Sequence, residues 1–120
     1  MNNVAALARH SSCVVLKNDG ILDYPSDSFP QYWEKASSWK DIVAFDAYAG
    51  NYIVAVKKDG TVVAAGENDF GQCNVSDWKD IVAVQTEYDY CIGKKADGTF
   101  VITTSNAALA KAFDEAVNNR

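Results

Sequence analysis

The hexapeptide WKDIVA occurs twice, from Trp39 to Ala44 and from Trp78 to Ala83, 39 residues apart. Each copy leads into a tyrosine-containing stretch, an apolar run, an Asp-Gly pair and a second apolar run. A repeat of this period names a supersecondary unit that cannot bury its apolar face alone and must stack on its neighbours. The chain is thereby restricted to an array before any single element is assigned.

The Asp-Gly pairs refine the alignment. Asp59-Gly60 and Asp97-Gly98 are 38 residues apart, one fewer than the two WKDIVA copies, so one residue is gained or lost between them. The stretch from Asp46 to Asn51 is where a surface loop absorbs such a change most cheaply. Forty residues before Asp59-Gly60 stands Asp19-Gly20, and Cys13 to Lys17 then matches Ile53 to Lys57, which reveals a first, more diverged unit. The arms SCVVLK, YIVAVK and YCIGKK, with ILDY, TVVAAG and TFVITT after the turns, are rich in β-branched residues. An Asp-Gly pair between such arms predicts a hairpin with a tight turn, in which glycine takes positive φ and aspartate tolerates it. A further strand, Asp41 to Phe45 or Asp80 to Val84, precedes each later hairpin. Trp39 and Trp78 are expected to begin these strands and to pack between neighbouring units.

Regularity lapses between Tyr24 and Ser38, where Pro25, Pro30, Phe29, Tyr32 and Trp33 form an insertion-like loop with a short helical turn over Gln31 to Ala36. Its aromatics either cover the adjoining hairpin or form a contact surface. After Ser105-Asn106, either of which can cap a helix, AALAKAFDEAVNN places Leu109, Ala112, Phe113, Ala116 and Val117 on one helical stripe. This helix is expected to cover the edge and apolar face of the last sheet, the alternative being that Leu109, Phe113 and Val117 meet a second chain. The expected fold is mainly β. It is a single domain over residues 1–120 of about three blade-like antiparallel units, near 4–38, 39–77 and 78–106, capped by a helix near 107–118.

The function classes left open are narrow. Sixteen acidic against eleven basic residues give a net charge of −5, and no Lys/Arg run matches a phosphate backbone, so nucleic-acid binding is disfavoured. No apolar stretch is long enough to span a membrane and the start lacks a secretory pattern, which predicts a soluble, cytoplasmic chain. Cys13, Cys73, Cys91 and the single His10 are scattered, so neither a disulfide framework nor a zinc site is expected, and no cofactor. Cys13 and Cys91 match Ile53 and read as small core residues, Cys73 as part of a turn. His10, with Ser11 and Ser12 after it, has no partner for nucleophilic chemistry, and no motif of an enzyme is present.

The segment from Gly50 to Val84 carries Ile53-Val54-Ala55-Val56, the Lys-x-Asp-Gly-Thr-Val turn, Gly66, Asn68, Gly71-Gln72-Cys73 and the Trp-x-Asp-Ile-Val-Ala-Val restart. It resembles the repeat of the regulator of chromosome condensation family in its bacterial form, well over residues 39–106 and weakly over 4–23. The resemblance implies blades of a β-propeller, seven in a closed ring of that family, that serve as a platform for protein partners. Three units are too few to close such a ring. The resemblance therefore implies an open arc capped by the helix, or chains that join into a larger ring. The third unit departs from the pattern, with Thr86-Glu87-Tyr88-Asp89 in place of the glycine-rich segment and no Gly-Gln-Cys connection, and the family's nucleotide-exchange activity finds no matching residues.

Within the repeat, Gly66, Asn68, Gly71 and Gln72 read as turn formers whose side chains satisfy backbone groups. Residues that differ between units at matching loop positions are the ones the scaffold does not explain: Asp46, Tyr48, Asn51, Glu87, Tyr88 and Asp89. Stacking is expected to bring them to one rim, with Arg9 and His10. Tyrosine among carboxylates suits a basic protein partner, since rings supply buried area and charges steer association. Glu67, Asp69 and Phe70 form a second, weaker patch. The expectation is a non-enzymatic protein-binding module, an inhibitor that blocks a basic-surfaced enzyme, encoded by a phage or bacterium. The alternative is a structural subunit whose copies pair through blade edges or the helix, as a homodimer, to complete a larger propeller.

Overall fold

A computed structural model describes residues 4–7, 14–24, 32–48, 51–69, 71–104 and 107–117, with 4–7, 107 and 117 described by backbone alone. Arg9, His10, Cys13, Phe29, Gly50, Phe70, Ser105 and Asn106 lie outside these residues, as does the side chain of Val117.

The described chain is mainly β, with nine strands in three antiparallel sheets of three. The first sheet runs β1 (Val4–Leu7), β2 (Val15–Lys17) and β3 (Leu22–Asp23). The second runs β4 (Ile42–Tyr48), β5 (Tyr52–Lys57) and β6 (Val62–Gly66). The third runs β7 (Ile81–Thr86), β8 (Cys91–Lys95) and β9 (Phe100–Ile102). Helix α1 (Trp33–Ala36) follows the first sheet and α2 (Ala107–Val117) the third. The registers repeat as well. Val4 pairs with Lys17, Ile42 with Lys57 and Ile81 with Lys95, and each first strand bulges one residue later. The first unit thus has its own opening strand, β1, which the diverged sequence there had hidden.

The turns take positive φ at glycine, as expected, but not at aspartate. Gly60 N–H donates to Lys57 C=O at 2.9 Å and Lys57 N–H to Thr61 C=O at 2.9 Å, so three residues make the loop. Gly60 alone has positive φ (+87°); Asp59 turns its carboxylate to accept from Thr61 N–H at 3.0 Å and Thr61 Oγ1 at 2.6 Å. The bonds from Thr61 hold the Asp59 carboxyl below its ordinary range, and Thr99 does the same for Asp97. The aspartate is an acceptor here and not a second positive-φ residue. That conformation belongs instead to Asp41 and Asp80, at φ 60° and 59°, immediately before β4 and β7. Trp39 and Trp78 accordingly precede the strands rather than begin them, because these kinked aspartates separate the tryptophans from the ladder.

Sheets stack face to face through their first two strands: β1 and β2 lie against β4, and β4 and β5 lie against β7. Alternation divides β5 between two cores. Ile53 and Ala55 join Val14, Leu16, Leu22, Tyr32, Trp39 and Phe45 on one side, while Tyr52, Val54 and Val56 join Val75, Ile81 and Cys91 on the other. Every residue from Tyr52 to Val56 is fully buried, which explains an unbroken apolar run where a one-sided strand would alternate. At about 1.5–3 kcal/mol per large apolar side chain, burial on both faces of this strand ties the second sheet to both of its neighbours. Tyr32 and Ala36 bring the insertion onto the first core, and the Tyr24 and Trp33 rings meet at 5.5 Å. The C-terminal helix touches the last sheet where Phe113 stands edge-on to Phe100, with ring centres 6.3 Å apart, whereas Leu109 stays 38% exposed. No described helix is long and apolar enough to cross a membrane.

Candidate functional site

The rim expected from the sequence forms where the second and third sheets meet. Asp46 and Tyr48 pair with Val54 and Tyr52, so all four project from the face of the second sheet that presses on the third. Depth then separates them. Asp46 is 2% exposed, and its Oδ2 accepts from Thr86 N–H at 2.8 Å and Thr86 Oγ1 at 2.9 Å. Its assignment to an accessible rim is corrected: strand parity turns it inward, where it joins two sheets. Asn51 is half-buried and takes a turn role, its N–H donating to Tyr48 C=O at 3.0 Å and its C=O accepting from Glu67 N–H at 2.9 Å.

Tyr48, at the end of β4, is within reach of the loop after β7. Its ring stacks on Tyr52 at 6.4 Å and 23° and meets Tyr88 edge-on at 6.3 Å and 68°. Tyr88 is 59% exposed, and Asp89 beside it is exposed too. Glu87 is half-buried, and its Oε2 accepts from Gln85 Nε2 at 2.9 Å. The structure therefore gathers Tyr48, Glu87, Tyr88 and Asp89 and excludes Asp46.

Tyr52 is the residue that sequence reasoning missed. Fully buried, it shares its one hydroxyl proton between Glu87 C=O at 2.5 Å and Tyr90 C=O at 2.7 Å, and accepts from Glu87 N–H at 3.1 Å. Together with the bond from Glu87 N–H to Tyr90 C=O at 2.9 Å, this ties down the loop that carries Tyr88 and Asp89. Burial pushes the Tyr52 hydroxyl well above the usual tyrosine range, so it stays a donor. A signal was present in the chain: Tyr52 is in phase with Val54 and Val56, and a tyrosine at a core position needs a partner for its hydroxyl.

Asn68 Oδ1 accepts from Cys73 N–H at 2.8 Å across the loop after β6. Burial raises the Cys73 thiol to about 11 and the Cys91 thiol further, which holds both described thiols in the protonated form at neutral pH. Among the described residues no group of three or more His, Cys, Asp or Glu side chains is gathered as a metal site. At the opposite end of the sheets the bulge residues Val43 and Val82, 54% and 49% exposed, flank a hollow of about 380 Å³ lined also by Lys57, Lys58 and Asp80. Both valines recur at the same repeat position, which makes them part of the scaffold. Glu67 and Asp69 are exposed in the loop after β6. Neither a protein-family model nor a curated protein matches the chain.

Proposed function

We propose that the protein is a non-enzymatic binding module that uses the rim of Tyr48, Glu87, Tyr88 and Asp89 to hold a basic-surfaced protein and, as an inhibitor, to block it. The reading takes the three sheets as propeller blades of the chromosome-condensation type, with α2 lying at β9 of the third. The observation that carries it is the edge-on contact of Tyr48 with a largely exposed Tyr88 across the seam between two sheets. Two rings that are already packed lose little rotamer freedom on binding, and the loop beneath them is held by the Tyr52 hydroxyl. Tyrosines of this kind are common binding hot spots, and flanking carboxylates such as Asp89 favour a cationic partner and faster encounter. The partner is a protein; neither nucleic acid nor a membrane suits an acidic surface of this kind.

The experiment is affinity capture from a bacterial lysate with the wild type and with a Tyr48→Ala, Tyr88→Ala, Asp89→Ala variant, followed by affinity measurement on any protein lost from the variant. Each tyrosine removed is expected to weaken binding by about 1–2 kcal/mol or more. Equal recovery by both proteins sinks the reading.

A further inference from the structure

The two internal seams are built alike, and the array carries the halves of a third at its ends. Ile42 N–H donates to Gly20 C=O at 3.0 Å, and Ile81 N–H donates to Gly60 C=O at 3.0 Å. A Cβ on Gly20 would stand 3.2 Å from Asp41 Cα, and one on Gly60 would stand 3.2 Å from Asp80 Cα, so both turns press on the sheet that follows. The third turn has the same form, with Gly98 N–H on Lys95 C=O at 3.0 Å and φ +92°. Among the described residues nothing lies within 4 Å of a Cβ built there, and no described N–H meets its carbonyl. At the other end Val4 holds the position of Ile42 and Ile81, as its pairing with Lys17 fixes.

We propose that a second copy of this chain docks head to tail, its first sheet on the outer face of the third sheet. The charges at the two ends argue for this occupant. Register makes Leu16, Val56 and Lys94 equivalent, each facing Leu22, Val62 or Phe100 across its hairpin. It likewise makes Asp23, Val63 and Val101 equivalent, each facing Val15, Ala55 or Gly93. Leu16 and Val63 share the core between the first two sheets, and Val56 and Val101 share the core between the second and third. At the ends of the array these two positions are Lys94 and Asp23, both exposed and opposite in sign. Between two copies they form a charge pair where the internal seams have an apolar one, which gives register and partner choice together.

Space for the second copy is present. Strand-to-strand contact across an internal seam comes from the first two strands of the earlier sheet, which in the third sheet are β7 and β8, and the third strand adds Leu22 or Val62, equivalent to Phe100, to the core. Ala83, Gln85, Ile92, Lys94 and Phe100 line an open hollow of about 170 Å³ there, while α2 meets the sheet at β9 through Phe100 and Phe113. Two copies of three sheets closing on each other make a ring of six, within the span of about four to eight blades that propellers adopt. None of these residues belongs to the tyrosine rim, so the inference stands apart from the binding function.

The test is light scattering coupled to size exclusion at about 10 μM, where a micromolar dimer is mostly formed. The expected mass is about 26 kDa, twice the 13.1 kDa of one chain. Lys94→Glu and Asp23→Lys are each expected to raise the dissociation constant about tenfold or more at every seam, and the double variant to restore the dimer. A wild type that stays monomeric at about 100 μM, a dimer indifferent to either reversal, or a double variant that remains monomeric overturns the proposal.

Discussion

Replacing Tyr52 by phenylalanine isolates the polar half of the seam. The ring stays, with its full burial, so the apolar contribution is unchanged and only the hydroxyl is lost. That hydroxyl serves three backbone groups: the carbonyls of Glu87 and Tyr90 and the N–H of Glu87. Each lost bond costs about 0.5–1.5 kcal/mol net, more where the abandoned group stays dry. Glu87 and Tyr90 are half-buried and can be partly rehydrated, which places the total near 2 kcal/mol. For 120 residues the unfolding entropy is roughly 0.25 kcal/mol per degree, so Tm should fall by about 8 °C in calorimetry. Amide exchange adds the local readout, since Glu87 N–H should exchange faster while amides of β5 follow the global loss. The alkaline limb supplies a sign. Burial raises the Tyr52 pKa in the folded protein, so the unfolded chain releases this proton first, near pH 10, and stability is complete below that pH and declines above it. The gap in stability between wild type and Tyr52→Phe should therefore narrow as pH rises past about 10. A Tm loss under about 2 °C, or unchanged exchange at Glu87, would refute the view that this hydroxyl organises the rim loop.

Asp46→Ala removes the acceptor of two bonds from the buried Thr86, and should cost about 2–4 kcal/mol in urea unfolding, with Asp46→Asn intermediate. Gly60→Ala and Gly98→Ala impose nearly the same backbone strain, at φ +87° and +92°, of about 1 kcal/mol each. Only the former also drives a methyl to 3.2 Å from Asp80 Cα, so in the monomer it should be the more destabilising by about 1 kcal/mol or more; equal losses would mean that the Gly60 turn does not press on the third sheet. Cys73 and Cys91, with thiols raised by burial, should label with a thiol reagent at pH 8 at least tenfold (about) more slowly in the folded protein than in denaturant, Cys91 the slower of the two, as mass spectrometry after timed quenching would record.

Much of the architecture was legible because a repeat states it three times. WKDIVA, the Asp-Gly pairs and the β-branched arms located three hairpins and the strands before the second and third. The first unit's opening strand was not legible, since VAAL shares little with the corresponding segments of later units and pairs only through register. The turn length was not legible because Asp-Gly suits both a two-residue and a three-residue loop, and only the hydrogen bonds from Lys57 and Thr61 distinguish them.

The candidate site divides along the same line. That Tyr48, Glu87, Tyr88 and Asp89 differ from the repeat was visible residue by residue. Their meeting was not, because Tyr48 and Tyr88 belong to different sheets and come together only when one sheet lies on another. Asp46 makes the point from the opposite side: as a residue that differs between units it was assigned to the rim, while its parity with Val54 carried it into the seam. Local pattern determines which residues form a strand and which turn follows, since those depend on near neighbours. Which face becomes an interface, and which polar group is left at its edge, depends on contacts some 40 residues apart, such as Asp46 with Thr86, and the stacking of sheets alone decides them.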